Sequence, residues 1–204
     1  MARSHVDYGI LGPLEVLRDG QPIEPTAGRL RTLLVCLLLR RREVVATDVL
    51  MDALWGARVP RSAPNLVQVY VSQLRRVLPV GAIETRSPGY VLHAERDAVD
   101  ADRFEGLHVE GRRALEVGNP RVAVSLLRRA LELWRGAALA DFAYAEFARA
   151  EASRLDELRL VCLEERIAAD LALGLHQDVL GELRALVAQH PHRGRMCGHL
   201  MLAL

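Results

Sequence analysis

Hydrophobic residues recur at two different spacings, and the change from one to the other divides the chain. The opening "DYGILGPLEVLRDGQPIEP" holds short β-prone runs around the turn dipeptide Asp19-Gly20, which predicts a small antiparallel sheet. Helical runs follow, and after about residue 98 the strand pattern disappears while helical spacing continues. We therefore predict an α+β domain over residues 1–97 and an all-α domain over residues 98–204.

Three helices are predicted in the first domain. Leucines at helical spacing occupy residues 27–41, and the β-prone pair Val44-Val45 follows them. A short second helix is expected to begin at Thr47, a candidate N-cap, and to end at Trp55 because Gly56 is a favourable C-terminal residue. The next stretch, "RVPRSAPN", is expected to be a loop before the third helix.

The third helix has one apolar side and one polar side. A helical wheel places five residues on the apolar side, namely Val67, Tyr70, Val71, Leu74 and Leu78. The other side carries Asn65, Gln68, Val69, Ser72, Gln73, Arg75 and Arg76. The absence of any carboxylate is unusual for a face that is merely solvated. After Pro79, "AIETR" and "GYVL" flank Ser87-Pro88-Gly89, which predicts a hairpin with Arg86 near its tip.

Charge supports a polyanionic partner for this first domain. The formal net charge is only +1, and all 27 basic residues are arginine. Residues 1–97 contain 13 arginines and 10 acidic residues, whereas residues 98–204 contain 14 and 16. Between residues 56 and 94, five arginines face the single acid Glu84. The local excess is modest, but it lies where the third helix and the hairpin lie.

A sheet, three helices and a hairpin form the order of a winged helix-turn-helix. We predict that the third helix enters the DNA major groove and that the hairpin touches the neighbouring minor groove or backbone. Gln68 and Gln73 can read adenine or other base edges, and Val69 can meet a thymine methyl group. Arg75 and Arg76 can bind guanine or phosphate.

The second domain is predicted to contain five helices joined by short links, over residues 101–118, 120–135, 144–173, 177–190 and 193–204. Asn119-Pro120 supplies a cap and a first-position proline. The small/large rhythm at residues 123–133 indicates a tetratricopeptide-like stack of about two and a half pairs. Trp134 is expected to close the core between helix pairs, with a ligand groove as the alternative. The apolar "LMLAL" at the end suggests that the natural chain continues beyond residue 204.

Catalytic and metal sites are not expected. "HPHRGRMCGH" supplies His190, His192, Cys197 and His199, but no second ligand pair frames them. No nucleophile elbow, phosphate-binding glycine loop or dinucleotide fingerprint occurs. The carboxylates of residues 141–170 are interpreted as helix surface paired with arginine, as in the sets Arg154/Glu157 and Glu151/Arg154.

The location predicted from sequence is the cytoplasm, in association with the nucleoid. Three widely spaced cysteines favour a reduced chain over a disulfide framework. The first residues lack a signal-peptide core, and "LLVCLLL" is too short to span a bilayer. No membrane contact and no cofactor are therefore predicted.

Several motifs together resemble the Streptomyces antibiotic regulatory protein (SARP) family along nearly the whole chain. In the first half they are "GPLEV", "GRLRTLLVCLLLR", "LMDALWG", "VQVYVSQLRRVL" and "TRSPGYVL", the pattern of an OmpR/PhoB-type winged helix. In the second half they are "VDADRFEGL", "ALELWRGAALADF", "ARAEASRLDELRLVCLEERIAADLALG" and "ELRALVAQHPHRGRMCGHLMLAL", which resemble the bacterial transcriptional activation domain.

The resemblance implies an activator that binds direct repeats in double-stranded promoter DNA as side-by-side copies. It implies recruitment of RNA polymerase containing its principal sigma factor, usually at a secondary-metabolite gene cluster such as one for an antibiotic. By position, Val69, Ser72, Gln73, Arg75 and Arg76 match the recognition helix, Arg86 matches the wing arginine, and Trp55 matches a tryptophan near phosphate. Gln73 stands where the family often has arginine. Two alternatives remain, a helical-repeat interaction scaffold and a ligand-sensing regulator.

Overall fold

The computed structural model describes residues 5–23 and 28–204. The strands are β1 Val6–Gly9, β2 Glu15–Arg18, β3 Gln21–Pro22, β4 Val45–Ala46, β5 Ile83–Arg86 and β6 Gly89–Leu92. The helices are α1 Gly28–Leu39, α2 Thr47–Trp55, α3 Ala63–Val77, α4 Asp100–Glu116, α5 Pro120–Glu132, α6 Glu146–Ala172, α7 His176–Gln189 and α8 Gly194–Ala203. Within these ranges, no helix has both the length and the apolarity needed to cross a bilayer.

The fold prediction is confirmed, because a small β-containing winged-helix region precedes a helical one. The chain forms two compact units, and each unit is made of two separate stretches of the sequence. The first unit contains the residues up to Asp102 together with Arg135–Leu155, and the second contains Arg103–Trp134 together with Asp156–Leu204. A stretch from the helical half of the sequence therefore belongs to the same compact unit as the winged helix.

Two antiparallel three-stranded sheets lie in the first unit, in the orders β1-β2-β3 and β4-β6-β5. Asp19 and Gly20 connect β2 to β3 with φ angles of 50° and 77°, the geometry of the predicted tight hairpin turn. Gly89 lies where β6 passes β4, and a Cβ placed there would be 1.8 Å from the Val45 carbonyl oxygen. Only glycine fits at this crossing of the wing.

The predicted helix ends are correct in part. α2 runs from Thr47 to Trp55 as expected, and the Gly56 amide donates to the Asp52 carbonyl at 2.8 Å. The prediction that Thr47 caps this helix is wrong: its hydroxyl donates to the Pro88 carbonyl at 3.1 Å and thus ties α2 to the wing. A threonine hydroxyl can donate to any acceptor within reach. Here it donates to the Pro88 carbonyl, which is distant in the sequence but close in the folded chain.

Two other helices of the first domain differ from the prediction, and in the second domain the predicted ends of α4 to α8 differ by up to three residues. α1 ends at Leu39 instead of residue 41, and the expected start at residue 27 lies outside the described ranges. α3 begins at Ala63, so the expected loop is shorter by three residues. Pro64 is accommodated because a proline in the first helical turn has no intrahelical hydrogen bond to lose.

The carboxylate of Asp100 connects three segments of the first unit. Asp100 is 3% exposed and begins α4. Its oxygens accept the amide hydrogens of Ile10 at 2.8 Å and Leu11 at 3.0 Å. The Arg135 guanidinium donates to the same carboxylate at 3.2 Å and to the Pro13 carbonyl at 3.0 Å. A buried charge is therefore fully paired, as it must be to be tolerated.

The segment after Arg135 extends this connection along the loop between β1 and β2. The Arg135 amide donates to the Leu11 carbonyl at 2.8 Å, and the Leu139 amide donates to the Ile10 carbonyl at 2.9 Å. Asp141 accepts the Leu14 amide at 3.0 Å and a further hydrogen bond from Arg31. These contacts explain why residues 135–155 belong with the winged helix.

The second unit is helical, and several predictions within it are confirmed. The Asn119 side chain caps α5 by accepting the Val122 amide at 3.3 Å. Trp134 is buried and meets the Phe104 ring edge-on with 5.3 Å between centroids, while Arg159 lies 4.8 Å from the indole centroid. Trp134 therefore closes a helical core, as expected.

The interpretation of the later carboxylates as helix surface is wrong for three of them, Glu164, Glu165 and Asp170, which are 5%, 7% and 0% exposed. Each is compensated by a cation. Asp170 accepts from Arg128 at 2.8 Å and Arg166 at 3.0 Å, Glu164 accepts from Arg193 at 3.0 Å, and Glu165 lies 3.5 Å from the Arg112 Nε. The buried His108 imidazole lies 2.7 Å from the Glu165 carboxylate. These pairs occur because α6 contributes buried faces on more than one side, which a single amphipathic wheel does not reveal.

We predict that Asp100→Ala lowers the free energy of unfolding by about 3 kcal/mol, because it leaves two buried amides and Arg135 without their acceptor. Urea unfolding of the purified chain measures the change. Asp52→Ala removes an exposed carboxylate from α2 and should shift stability by no more than about 0.5 kcal/mol. Equal effects of the two substitutions would show that the Asp100 contacts contribute little.

Burial also makes the three thiols unequal. It raises the pKa of Cys162 to about 12 and raises the pKa of Cys36, whereas Cys197 is only partly buried. At pH 8 we expect a thiol reagent to modify Cys197 in the folded chain and the other two only after denaturant is added. Cys197→Ser should abolish the fast phase, and a fast phase that survived this substitution would contradict the assignment.

Candidate nucleic-acid interface

Helix α3 presents a polar face because its apolar residues are fixed against the core. Val67, Val71 and Leu74 are at most 1% exposed. All the residues predicted to face outward are exposed: Asn65, Gln68, Val69, Ser72, Gln73, Arg75 and Arg76. Val69 is 48% exposed, an apolar side chain in the middle of a polar surface. The structure thus brings the seven predicted residues of this helix onto one accessible face.

Arg76 lies at the C-terminal end of this face, in the last turn of α3. In the described part of the chain it makes no ion pair and no side-chain hydrogen bond. The helix itself contains no acidic residue. An unpaired guanidinium on an acid-free face is available for a planar anionic or carbonyl acceptor, which it can bind with two N–H groups.

Arg75 differs from its neighbour. Its Nε donates to the Ile83 carbonyl at 3.0 Å, and its Nη2 donates to the Thr85 hydroxyl at 2.8 Å. Both acceptors belong to β5, so this arginine joins the outward-facing helix to the first strand of the wing. The sequence pattern gave no sign of this role, because the spacing between Arg75 and β5 is set by the turn between them.

The wing is the hairpin β5–β6, with β4 on its other edge. Arg86 ends β5, is exposed, and pairs in register with Gly89. The single acid of this hairpin, Glu84, lies 2.8 Å from the His93 imidazole. This hydrogen bond and the nearby Arg86 charge lower the pKa of Glu84, which keeps the carboxylate ionised and locally compensated.

Trp55 ends α2 and is partly buried. Its ring stacks on Tyr70 of α3, with 6.3 Å between centroids and 25° between planes. The Arg29 guanidinium carbon lies 5.3 Å from the centre of the Trp55 ring, in cation–π range. Arg29 was absent from the predicted site, and only its place in the α1 sequence "GRLRTLL" could have drawn attention to it.

The candidate metal ligands near the end of the chain are not assembled into a site. Over residues 5–23 and 28–204, no group of three or more His, Cys, Asp or Glu side chains is arranged to hold a metal ion. Cys197 instead lies 3.9 Å from the Pro191 carbonyl.

Comparison with known proteins identifies both halves of the chain. Residues 20–92 match the family described as "Transcriptional regulatory protein, C terminal", and residues 99–204 match the "Bacterial transcriptional activator domain". With a winged helix followed by this helical domain, the chain belongs to a class of bacterial transcriptional regulators.

The relatives make the class more specific. The regulatory protein DnrI of Streptomyces peucetius is 37% identical over 98% of this chain and 77% of its own length, and AfsR of Streptomyces coelicolor is 39% identical over 97% of this chain and 20% of its own. The solved structure "Mycobacterium tuberculosis EmbR in complex with low affinity phosphopeptide" matches with a TM-score of 0.94, 31% identity, 98% of this chain and 54% of that chain. The chain belongs to the Streptomyces antibiotic regulatory protein family of transcriptional activators, and it spans only part of the length of these relatives.

We predict that Arg75→Met loosens the wing, because it removes both hydrogen bonds from α3 to β5. The free energy of unfolding should fall by about 1–2 kcal/mol, and the amides of residues 83–86 should exchange faster with deuterium. Arg76→Met, on the same helix but with no such contacts, is the matched control. Equal protection of residues 83–86 in the two variants would contradict the positioning role.

Proposed function

We propose that this protein is a sequence-specific DNA-binding transcription activator that inserts α3 into the major groove of promoter DNA. The observation that carries the proposal is the exposed, acid-free face of α3 with an unpaired Arg76 in its last turn. A face of this kind matches the donor and acceptor groups at base edges and the negative phosphates beside them. The wing then approaches the neighbouring minor groove or backbone with Arg86.

Roles follow from the chemistry of each side chain. Asn65, Gln68 and Gln73 carry amides suited to adenine edges, and Val69 offers a methyl contact to thymine. Arg76 is placed to bind guanine or phosphate. Ser72, Arg75 and Trp55 complete the interface, with Arg75 also holding the wing and Trp55 bordering the backbone.

The helical part is proposed to bring RNA polymerase with its principal sigma factor to the promoter. We place the functional boundary near Asp97, before α4 begins at Asp100. Side-by-side copies on direct repeats would each use one α3, and the target would be a secondary-metabolite gene cluster. The proposal requires no cofactor and no catalysis, and it places the protein in the cytoplasm at the nucleoid.

The first test is footprinting of the purified chain on promoter fragments from its own gene neighbourhood, at two salt concentrations. We predict protected repeats about one helical turn apart and a steep loss of affinity at higher salt. Arg76→Ala and Arg86→Ala should each weaken binding by about 1–3 kcal/mol if the residue touches bases, or lower the salt slope by about 1 if it touches phosphate.

Arg184→Ala is the matched control, because it removes an arginine that is also exposed but belongs to α7. It should leave the footprint unchanged. No protection at either salt concentration would overturn the proposal and favour a protein-interaction scaffold. Protection that appeared only with an added metabolite would instead favour a ligand-sensing regulator.

A further inference from the structure

Arg29 is an exposed cation at the start of α1, outside the positions that the sequence pattern assigned to DNA. In the described part of the chain, its ring contact with Trp55 is its sole side-chain interaction. The first turn of α1 contains no acidic residue among those described. The Arg29 guanidinium is therefore held beside the Trp55 ring without being neutralised.

The Trp55 ring connects Arg29 to the proposed recognition helix. Tyr70 stacks on Trp55 from α3, and Arg29 lies over the Trp55 ring from α1. Three side chains from three helices thus meet at the Trp55 ring beside α3. Because Trp55 has few rotatable bonds and is partly buried, it restricts where the arginine can reach.

The Trp55 ring lies on the flank of α3 that faces away from the wing. Successive helical residues are rotated by about 100°, so Arg76 is about 100° from Arg75 in one direction and about 120° from Tyr70 in the other. Arg75 marks the wing flank because it binds β5, and Tyr70 marks the opposite flank because it stacks on Trp55. The exposed face lies between these two flanks.

A helix in the major groove has a sugar-phosphate backbone on each side, since the groove is only about 12 Å wide. The wing approaches one side. A cation–π contact with an indole forms no hydrogen bond to a carboxylate or carbonyl, so the five N–H groups of the guanidinium stay available to donate to phosphate. We infer that Arg29 is a phosphate-contacting residue, held by Trp55 against the DNA backbone that borders α3 on the side away from the wing.

This inference rests on the proposed function, and its test is a salt titration of DNA binding. Two duplexes serve as probes: the protected promoter sequence and the same bases in scrambled order. Arg29→Gln should reduce the salt slope by about 1 on both duplexes and weaken binding roughly tenfold at about 0.1 M salt. Arg29→Lys keeps the charge and should restore the slope.

The control is Arg184→Gln, which makes the same change in net charge on an exposed face of α7. A slope for Arg29→Gln equal to that of Arg184→Gln would overturn the inference. A loss of affinity with an unchanged slope would also overturn it, because it would indicate a purely structural role for the stack. Failure of the wild-type chain to bind either duplex would remove the proposed function itself, whereas wild-type binding weakened by Arg76→Ala would confine the failure to Arg29.

Discussion

The buried carboxylate of Asp100 is the contact on which the first compact unit depends. A carboxylate with 3% exposure is tolerated only if its oxygens accept hydrogen bonds from the protein. Here two backbone amides and the Arg135 guanidinium donate to them. The amides come from the loop after β1, and the arginine comes from a segment 35 residues further along the chain than Asp100. Asp102, two residues later, accepts a hydrogen bond from Arg41 at 2.9 Å and extends the attachment to the turn that follows α1. The winged helix is thus anchored by residues beyond its own sequence.

Within the first compact unit, side-chain contacts hold α3 on both of its flanks. Arg75 connects it to β5, and the Tyr70 stack connects it to the ends of α2 and α1. The polar face between these attachments is exposed to solvent, and the contacts on both sides fix its position. Rigid presentation matters in recognition, because side chains that are already oriented lose less conformational entropy on binding.

Much of this arrangement could be predicted from the sequence, and the exceptions share a cause. Periodicity located α3 and its two faces, the dipeptide at Asp19 located a hairpin, and Asn119 located a helix start, because each of these depends on neighbours a few residues away. The Thr47 hydroxyl, the Arg75 side chain and the buried Asp170 each depend on partners that only the folded topology brings close. The return of residues 135–155 to the first unit belongs with these exceptions, since no local pattern encodes a pairing across more than a hundred residues.

The discontinuous first unit has a consequence for exchanging parts among related regulators. A chimera cut near residue 97 would join a foreign β1–β2 loop to a native Asp100 and Arg135, so the buried carboxylate and the loop amides that it binds would come from different parents. Chimeras that carry residues 1–155 from one parent would keep both sides together. Transplanting only the exposed positions of α3 and the tip of the wing would disturb neither, which makes these surface positions the natural units for changing which sequence such a regulator recognises.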